Sequence, residues 1–328
     1  IIDLSTVTPN NGAYILNTTV YVVPHTHNFK TTTGKCACGA SCPHKNVSDD
    51  GKCACGASCQ HRNVNADTGI CKDCNQQVMV ARVLASDGTT VIGNYKTLSA
   101  AVSDAQKNSG TVQLLADVDL ADTTLLLSGT VTLDLNGKTL TGDCPFVTVS
   151  GAPTFTLINT ARGKLSTVKA ANVFRLDYSA AVNIGRDTSA DSNIEFDLSG
   201  ALFTTGTGTN LTGCSVNIYG GVITTTGDYA IDASIASDKD NPFQLLIQGG
   251  TFTGKKAGVR IVGDNIKPTI TGGSFYSKPT DPRDIGTINA AGLIVNSDVT
   301  NFISGGIYQG IYSYTTYLSD LLKSGYDF

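Results

Sequence analysis

The chain has 328 residues and a formal net charge of −4, with only 15% charged residues. No run of Lys or Arg supplies the electrostatic footprint that nucleic acid requires, and no apolar stretch of about 18 residues offers a membrane span. Of the 27 acidic residues only Glu195 is a glutamate, while Gly, Thr, Ser, Asn and Asp abound, a balance that favours turns and excludes a mainly helical fold.

Residues 1–24 contain one expected strand, Thr18-Thr-Val-Tyr-Val-Val23, ended by Pro24. It belongs either to this fold or to a neighbouring domain. The chain opens on Ile1, its single methionine is Met79, and no basic-then-apolar leader precedes the strand. The expectation is a piece of a larger parent protein whose export signal, anchor and further domains lie outside it.

From residue 25 to 75 large apolar side chains almost vanish, while all four histidines and eight of the ten cysteines crowd in. Their spacing forms three frames. The first is His25-x-His27-x8-Cys36-x-Cys38, the second Cys42-x-His44-x8-Cys53-x-Cys55, and the third Cys59-x-His61-x9-Cys71-x2-Cys74. Two close pairs of thiolate and imidazole per frame suit tetrahedral Zn2+, and a complete set of four protein ligands is the structural kind of site, with no position open for catalysis. The segment therefore reads as a small zinc-ribbon-like module with three structural zinc sites. Neighbouring frames are close enough to exchange ligands across Gly39-Ala-Ser41 or Gly56-Ala-Ser58. The competing reading, a disulfide framework, accounts for the cysteines and leaves the histidines unexplained.

Residues 76–95 form a connector with an expected hairpin, Val78 to Leu84 turning at Asp87-Gly88 and returning through Thr90 to Ile92. The helix expected over 97–108 follows: Thr97 is a suitable N-cap, Leu98, Ala101, Val102 and Ala105 recur at helical spacing, and Gly110 can end it. Short strands come next, beginning at Thr111-Val-Gln-Leu-Leu115 and Thr124-Leu-Leu-Leu127. Rungs continue through Val131–Leu135, Thr154–Ile158, Ala181–Ile184, Ile194–Leu198 and Ser215–Ile218. A second strand series accompanies them at Val173–Leu176, Ala230–Ala233, Gly258–Ile261 and Gly292–Val295. In most of these, apolar and polar residues alternate, as a half-buried strand requires.

One phrase recurs four times: Ile218-Tyr-Gly-Gly-Val-Ile223, Ile247-Gln-Gly-Gly-Thr-Phe252, Ile270-Thr-Gly-Gly-Ser-Phe275 and Ile303-Ser-Gly-Gly-Ile-Tyr308. It reads as two short strands joined by a corner that glycine alone turns without steric cost. Such a unit buries its apolar face only by stacking on its neighbours, which predicts a solenoid covered at its open end by the helix.

Residues 97–142, the Gly-Gly-x-Phe corners and the tail Tyr317-Leu-Ser-Asp-Leu-Leu-Lys-Ser-Gly-Tyr326 resemble right-handed parallel β-helix domains of large surface proteins of Gram-positive gut bacteria. The likeness spans about 230 residues and implies an all-β fold over 96–328, a pectate-lyase-like right-handed parallel β-helix with an N-terminal cap helix. It does not select a function, because that fold carries lyases, glycosidases, tailspikes and adhesins.

If the second strand series stacks as written, Arg175, Asp232 and Arg260 project outward on one face, with Asp177 on the same side as Arg175. Such a ladder either holds an acidic sugar through forked guanidinium contacts or forms a solvated set of ion pairs. Asp187, Asp191, Glu195 and Asp197 are carboxylates for a glycosidase, but no spacing singles out a pair. No histidine remains outside the zinc frames to act as a base. Cys144 and Cys214 are expected as small core residues. With no tryptophan, sugar stacking falls to Tyr219, Tyr229, Tyr276, Tyr308, Tyr312 and Tyr314. The expected function is an extracellular, cell-surface adhesin-like stalk or binding domain for a host glycan or surface protein. A polysaccharide lyase or glycosidase is the alternative, and an inert spacer the third reading.

Overall fold

A computed structural model describes residues 61, 63–72, 75–121, 123–148, 152–176, 179–186, 192–205, 213–234, 239–263, 265–279, 281, 283, 287, 290–314 and 316–327. The strand expected at Thr18–Val23 lies outside the described residues, as do all the expected zinc ligands except His61 and Cys71. The chain divides into two compact units, Ile1–Asn63 with Lys72–Gln76, and Val64–Cys71 with Gln77–Phe328. Among the described residues, all the sheets belong to the second.

The described residues are 47% strand and 6% helix, and the second unit is mostly β. Its strands visit three sheets in rotation. Thr111–Leu114 lies in the first, Val118–Asp119 in the second and Leu125–Leu127 in the third, and Val131–Asp134, Thr139–Thr141 and Phe146–Thr148 repeat the order. Parallel pairing sets like on like: Leu133 lies beside Leu157, and Ile218 beside Ile247, which lies beside Ile270. Alternate residues therefore point into one continuous core running from Ala81 to Leu321. The third face is divided. Strands Leu125–Leu127, Phe146–Thr148, Phe174–Leu176 and Phe203–Thr205 form one sheet, and Tyr229–Ser234, Ala257–Val262, Ala291–Asn296 and Ile311–Ser313 form another. The expected second strand series is thus split between two sheets, and Ile194–Leu198 joins the second sheet rather than the first.

Each Gly-Gly phrase is the corner between the first and second sheets, but its two glycines serve different needs. The second of each pair, Gly221, Gly250, Gly273 and Gly306, has φ between +102° and +114°. The first does not. A Cβ on Gly249 would lie 2.8 Å from the carbonyl oxygen of Tyr219, and one on Gly272 would strike that of Gln248, so these positions are glycine because the preceding corner passes against them. Beyond the corner, Phe252 stacks on Phe275 at 5.1 Å and Phe275 on Tyr308 at 4.7 Å, with ring planes within 10° of parallel.

The helix, α1, spans Leu98–Lys107 with Thr97 as N-cap, and the four expected apolar residues are buried against the first strands. Its end differs from the expectation. Ser109 carries the left-handed conformation (φ +48°), whereas Gly110 is needed because a Cβ there would lie 2.6 Å from the Leu84 carbonyl oxygen. The hairpin Ala81–Leu84 and Val91–Tyr95 pairs antiparallel with Thr111–Leu114, so the expected connector extends the first sheet. Tyr95 donates to Asp104 of α1 at 2.6 Å, which raises the phenol pKa to about 12. At the other end a short helix, α2 (Leu318–Leu321), buries Leu321, and Leu322 bridges to Ile303.

The hairpin turn supplies a pH prediction. Asp87 accepts from the Thr90 hydroxyl and from the Thr89 and Thr90 amides, the latter two at 2.8 Å, while Gly88 takes φ +72°. The Thr90 hydroxyl first, then the two amides, lower the carboxyl pKa to about 2. A depressed folded-state pKa means that the turn is stabilised above the ordinary carboxylate range, and that this contribution disappears as pH falls through about 2. An NMR titration should place the Asp87 midpoint near that value; a midpoint near 4 would show that the three hydrogen bonds do not form.

Candidate ligand-binding site

The candidate site lies on the sheet that begins at Tyr229. Register places Asp232, Arg260, Ile294 and Tyr312 in one row across four strands. Arg260 grips Asp232 side-on, Nε to Oδ1 at 2.8 Å and Nη2 to Oδ2 at 2.7 Å, and its guanidinium carbon stands 4.2 Å from the centre of the Tyr229 ring. Lys256 pairs with Asp228 at 2.8 Å. Beneath these charges the outer face is apolar: Ala257, Ala291 and Ile294 are buried with Tyr229 and Tyr312 packed against them. Tyr314 meets Tyr312 edge-on, with ring centres 4.9 Å apart at 85°.

The electrostatics follow from this geometry. Burial works against the Arg260 charge, but the hydrogen bonds and charge of Asp232 outweigh it and hold the guanidinium above its ordinary pKa. The two side chains are 28% and 29% exposed, so the pair contributes about 1 kcal/mol of stability or less. Its larger consequence is positional. Both oxygens of Asp232 are directed at Arg260, and the guanidinium plane is fixed between a carboxylate and an aromatic ring. A cleft of about 470 Å³ opens on the Asp228 and Asp232 side, and another of about 240 Å³ on the Ile294 and Tyr314 side.

Of the expected ladder, Asp232 and Arg260 come together and Arg175 does not. Arg175 lies on the other third-face sheet, paired with Thr204, and Asp177 lies outside the described residues. Tyr229, Tyr312 and Tyr314 gather at the site. Tyr276 projects from the second sheet, and Tyr308 is absorbed into the ring stack. Lys256, Asp228 and Asn296 were not singled out by sequence reasoning; strand register alone brings them to the clefts.

Among the other expected carboxylates, Glu195 and Asp197 share the outward face of Ile194–Leu198, while Asp187 and Asp191 lie outside the described residues. Cys214 is buried as expected. Cys144 is half-buried, and burial pushes its thiol pKa up. Among the described residues no three His, Cys, Asp or Glu side chains gather as a metal site, and no helix is long and apolar enough to cross a membrane. Within the third cysteine frame the chain reverses: Val64 and Cys71 form an antiparallel bridge, Asn65 Oδ1 accepts from the Asp67 amide at 2.8 Å, and Gly69 takes φ +70°. No family model, curated protein or solved structure matches the chain.

Proposed function

We propose that residues 96–328 form a right-handed parallel β-helix that acts, without catalysis, as an adhesin-like binding or stalk domain of a secreted cell-surface protein, with a host glycan or surface protein as partner. The observation that carries this reading is the locked Arg260–Asp232 pair beside two tyrosine-lined clefts. A carboxylate whose two oxygens already face a guanidinium is poorly disposed to take a proton from substrate, whereas a fixed guanidinium beside aromatic faces is suited to recognition. The rotation of strands through three sheets supports the β-helix, and the burial of α1 against the first strands supports its role as a cap.

The preceding segment we read as a module holding three structural Zn2+ ions through His25, His27, Cys36 and Cys38, through Cys42, His44, Cys53 and Cys55, and through Cys59, His61, Cys71 and Cys74. The turn at Asn65–Gly69 supports the third set, since its ligand pairs flank that turn in sequence.

The purified protein is expected to leave pectin, alginate and mucin glycans undegraded with or without Ca2+, while binding an immobilised mucin glycan or surface protein. Substituting Arg260→Gln or Asp232→Asn should weaken that binding several-fold. Depolymerisation of any of these polymers, abolished in the same variants, would replace this reading with the polysaccharide-active enzyme. Neither binding nor turnover would leave a spacer.

A further inference from the structure

The two clefts beside Arg260 differ in charge. Asp228 and Asp232 wall the larger one. The smaller is walled by Tyr229, Lys256, Arg260, Asn296 and Tyr314, with Val262 and Ile294 beneath them, and no carboxylate lines it. Register explains the asymmetry, because Arg260 has Asp232 on one neighbouring strand and Ile294 on the other. The side-on grip uses Nε and Nη2, which leaves the Nη1 edge of the planar fork turned away from Asp232. An ammonium carries three donors, and the Asp228 carboxylate takes one of those on Lys256. Two cations thus offer donors to a cleft from which their own counterions are set back.

Size restricts the occupant. At about 30 Å³ per water, about 240 Å³ holds roughly eight waters, the room for one six-membered ring with its substituents. The strand of Arg260 and the strand leading to Tyr314 are two places apart, about 9–10 Å, so a ring entering between them meets tyrosine faces and the apolar floor of Ile294. The Tyr314 hydroxyl keeps its proton at neutral pH, as any phenol does, and so can donate to a ligand.

Resting on the binding reading above, we infer that this smaller cleft holds one residue of an acidic glycan: a sugar ring whose carboxylate meets Arg260 and Lys256, whose hydroxyls meet Asn296 and Tyr314, and whose apolar face lies against tyrosine. The cleft has room for one ring at a time, so recognition is of a single acidic residue.

The test is calorimetric titration of the full chain with methyl glucuronide, methyl glucoside and acetate, beside binding to an immobilised acidic glycan. Methyl glucuronide is expected to bind at least tenfold more tightly than either of the other two, with an affinity that falls as salt rises. Arg260→Gln should erase the preference over the glucoside. Tyr314→Ala, at a more exposed position, should weaken the glucuronide with the circular dichroism spectrum unchanged. Equal binding of the glucoside would overturn the charge recognition, and equal binding of acetate would overturn the sugar. Retained binding to the immobilised glycan without glucuronide binding would overturn this cleft alone. Loss of both would overturn the binding reading with it.

Discussion

Elemental analysis of the purified chain is expected to return about three zinc ions, and a strong chelator is expected to unfold residues 25–74 while the sheets from Ala81 onward stay intact. The expectation comes from setting ligands against available core. Between His25 and Cys74 the large apolar side chains are Phe29, Val47, Val64 and Ile70. Ordering a residue costs about 1–2 kcal/mol of backbone entropy, and four such side chains cannot offset that for the whole segment. Structural zinc contributes about 10–16 kcal/mol per site in finger peptides at neutral pH, the scale required here. Thiolate and neutral imidazole are the ligating forms, so acid should release the metal as the chelator does. Cys53→Ser should eject the middle ion first, with hydrogen exchange rising around its frame and unchanged at Ile218, Ile247 and Ile270. A metal-free protein with Cys36 to Cys74 paired as four disulfides would make the segment an oxidised knot and defeat the proposal.

What was legible in the sequence, and what was not, divides along physical lines. Alternation and the Gly-Gly phrase are local properties, and they located most of the strands and all four corners. The α1 stripe of Leu98, Ala101, Val102 and Ala105 is local too, and each of these side chains is buried. Membership of a sheet is not local. Turns of the stack differ in length, with Ile218, Ile247, Ile270 and Ile303 spaced by 29, 23 and 33 residues, so counting along the chain does not say which strands meet. That is why Arg175 resembles Arg260 in its strand yet lies on another sheet, and why Ile194–Leu198 looked like a first-sheet rung. The pairing of Asp232 with Arg260 was readable because both sit at the same place in similar short strands. Lys256 and Asn296 lie at strand ends, where no repeat marks them, and only register carries them to the cleft.

A glycine series should separate the two demands made at each corner, with a ranking set by geometry. Gly163, in the turn between Thr154–Ile158 and Ser166–Ala170, has φ +67° and open space where a Cβ would stand. Gly163→Ala therefore tests conformation alone and should cost about 1–2 kcal/mol. Gly272 has no left-handed φ, but its Cβ would strike the Gln248 carbonyl of the previous corner. Gly272→Ala tests close approach alone, and since backbone cannot rotate aside as a side chain can, it should cost about 3 kcal/mol. Gly250 faces both demands, with φ +102° and a Cβ position 2.9 Å from the Gly221 carbonyl oxygen. Gly250→Ala should be the most damaging of the three, at about 3–5 kcal/mol. Thermal midpoints of the three variants test the order, and valine at 250 should lower expression as well. The spacing of stacked turns is fixed by the backbone hydrogen bonds from Thr251 to Gly221 and from Ser274 to Gly250, each 2.8 Å long, so a corner pushed outward by a methyl group strains the ladder on both sides. If Gly272→Ala proved as mild as Gly163→Ala, the corners would not be closely apposed, and the Gly-Gly pair would lose its steric explanation.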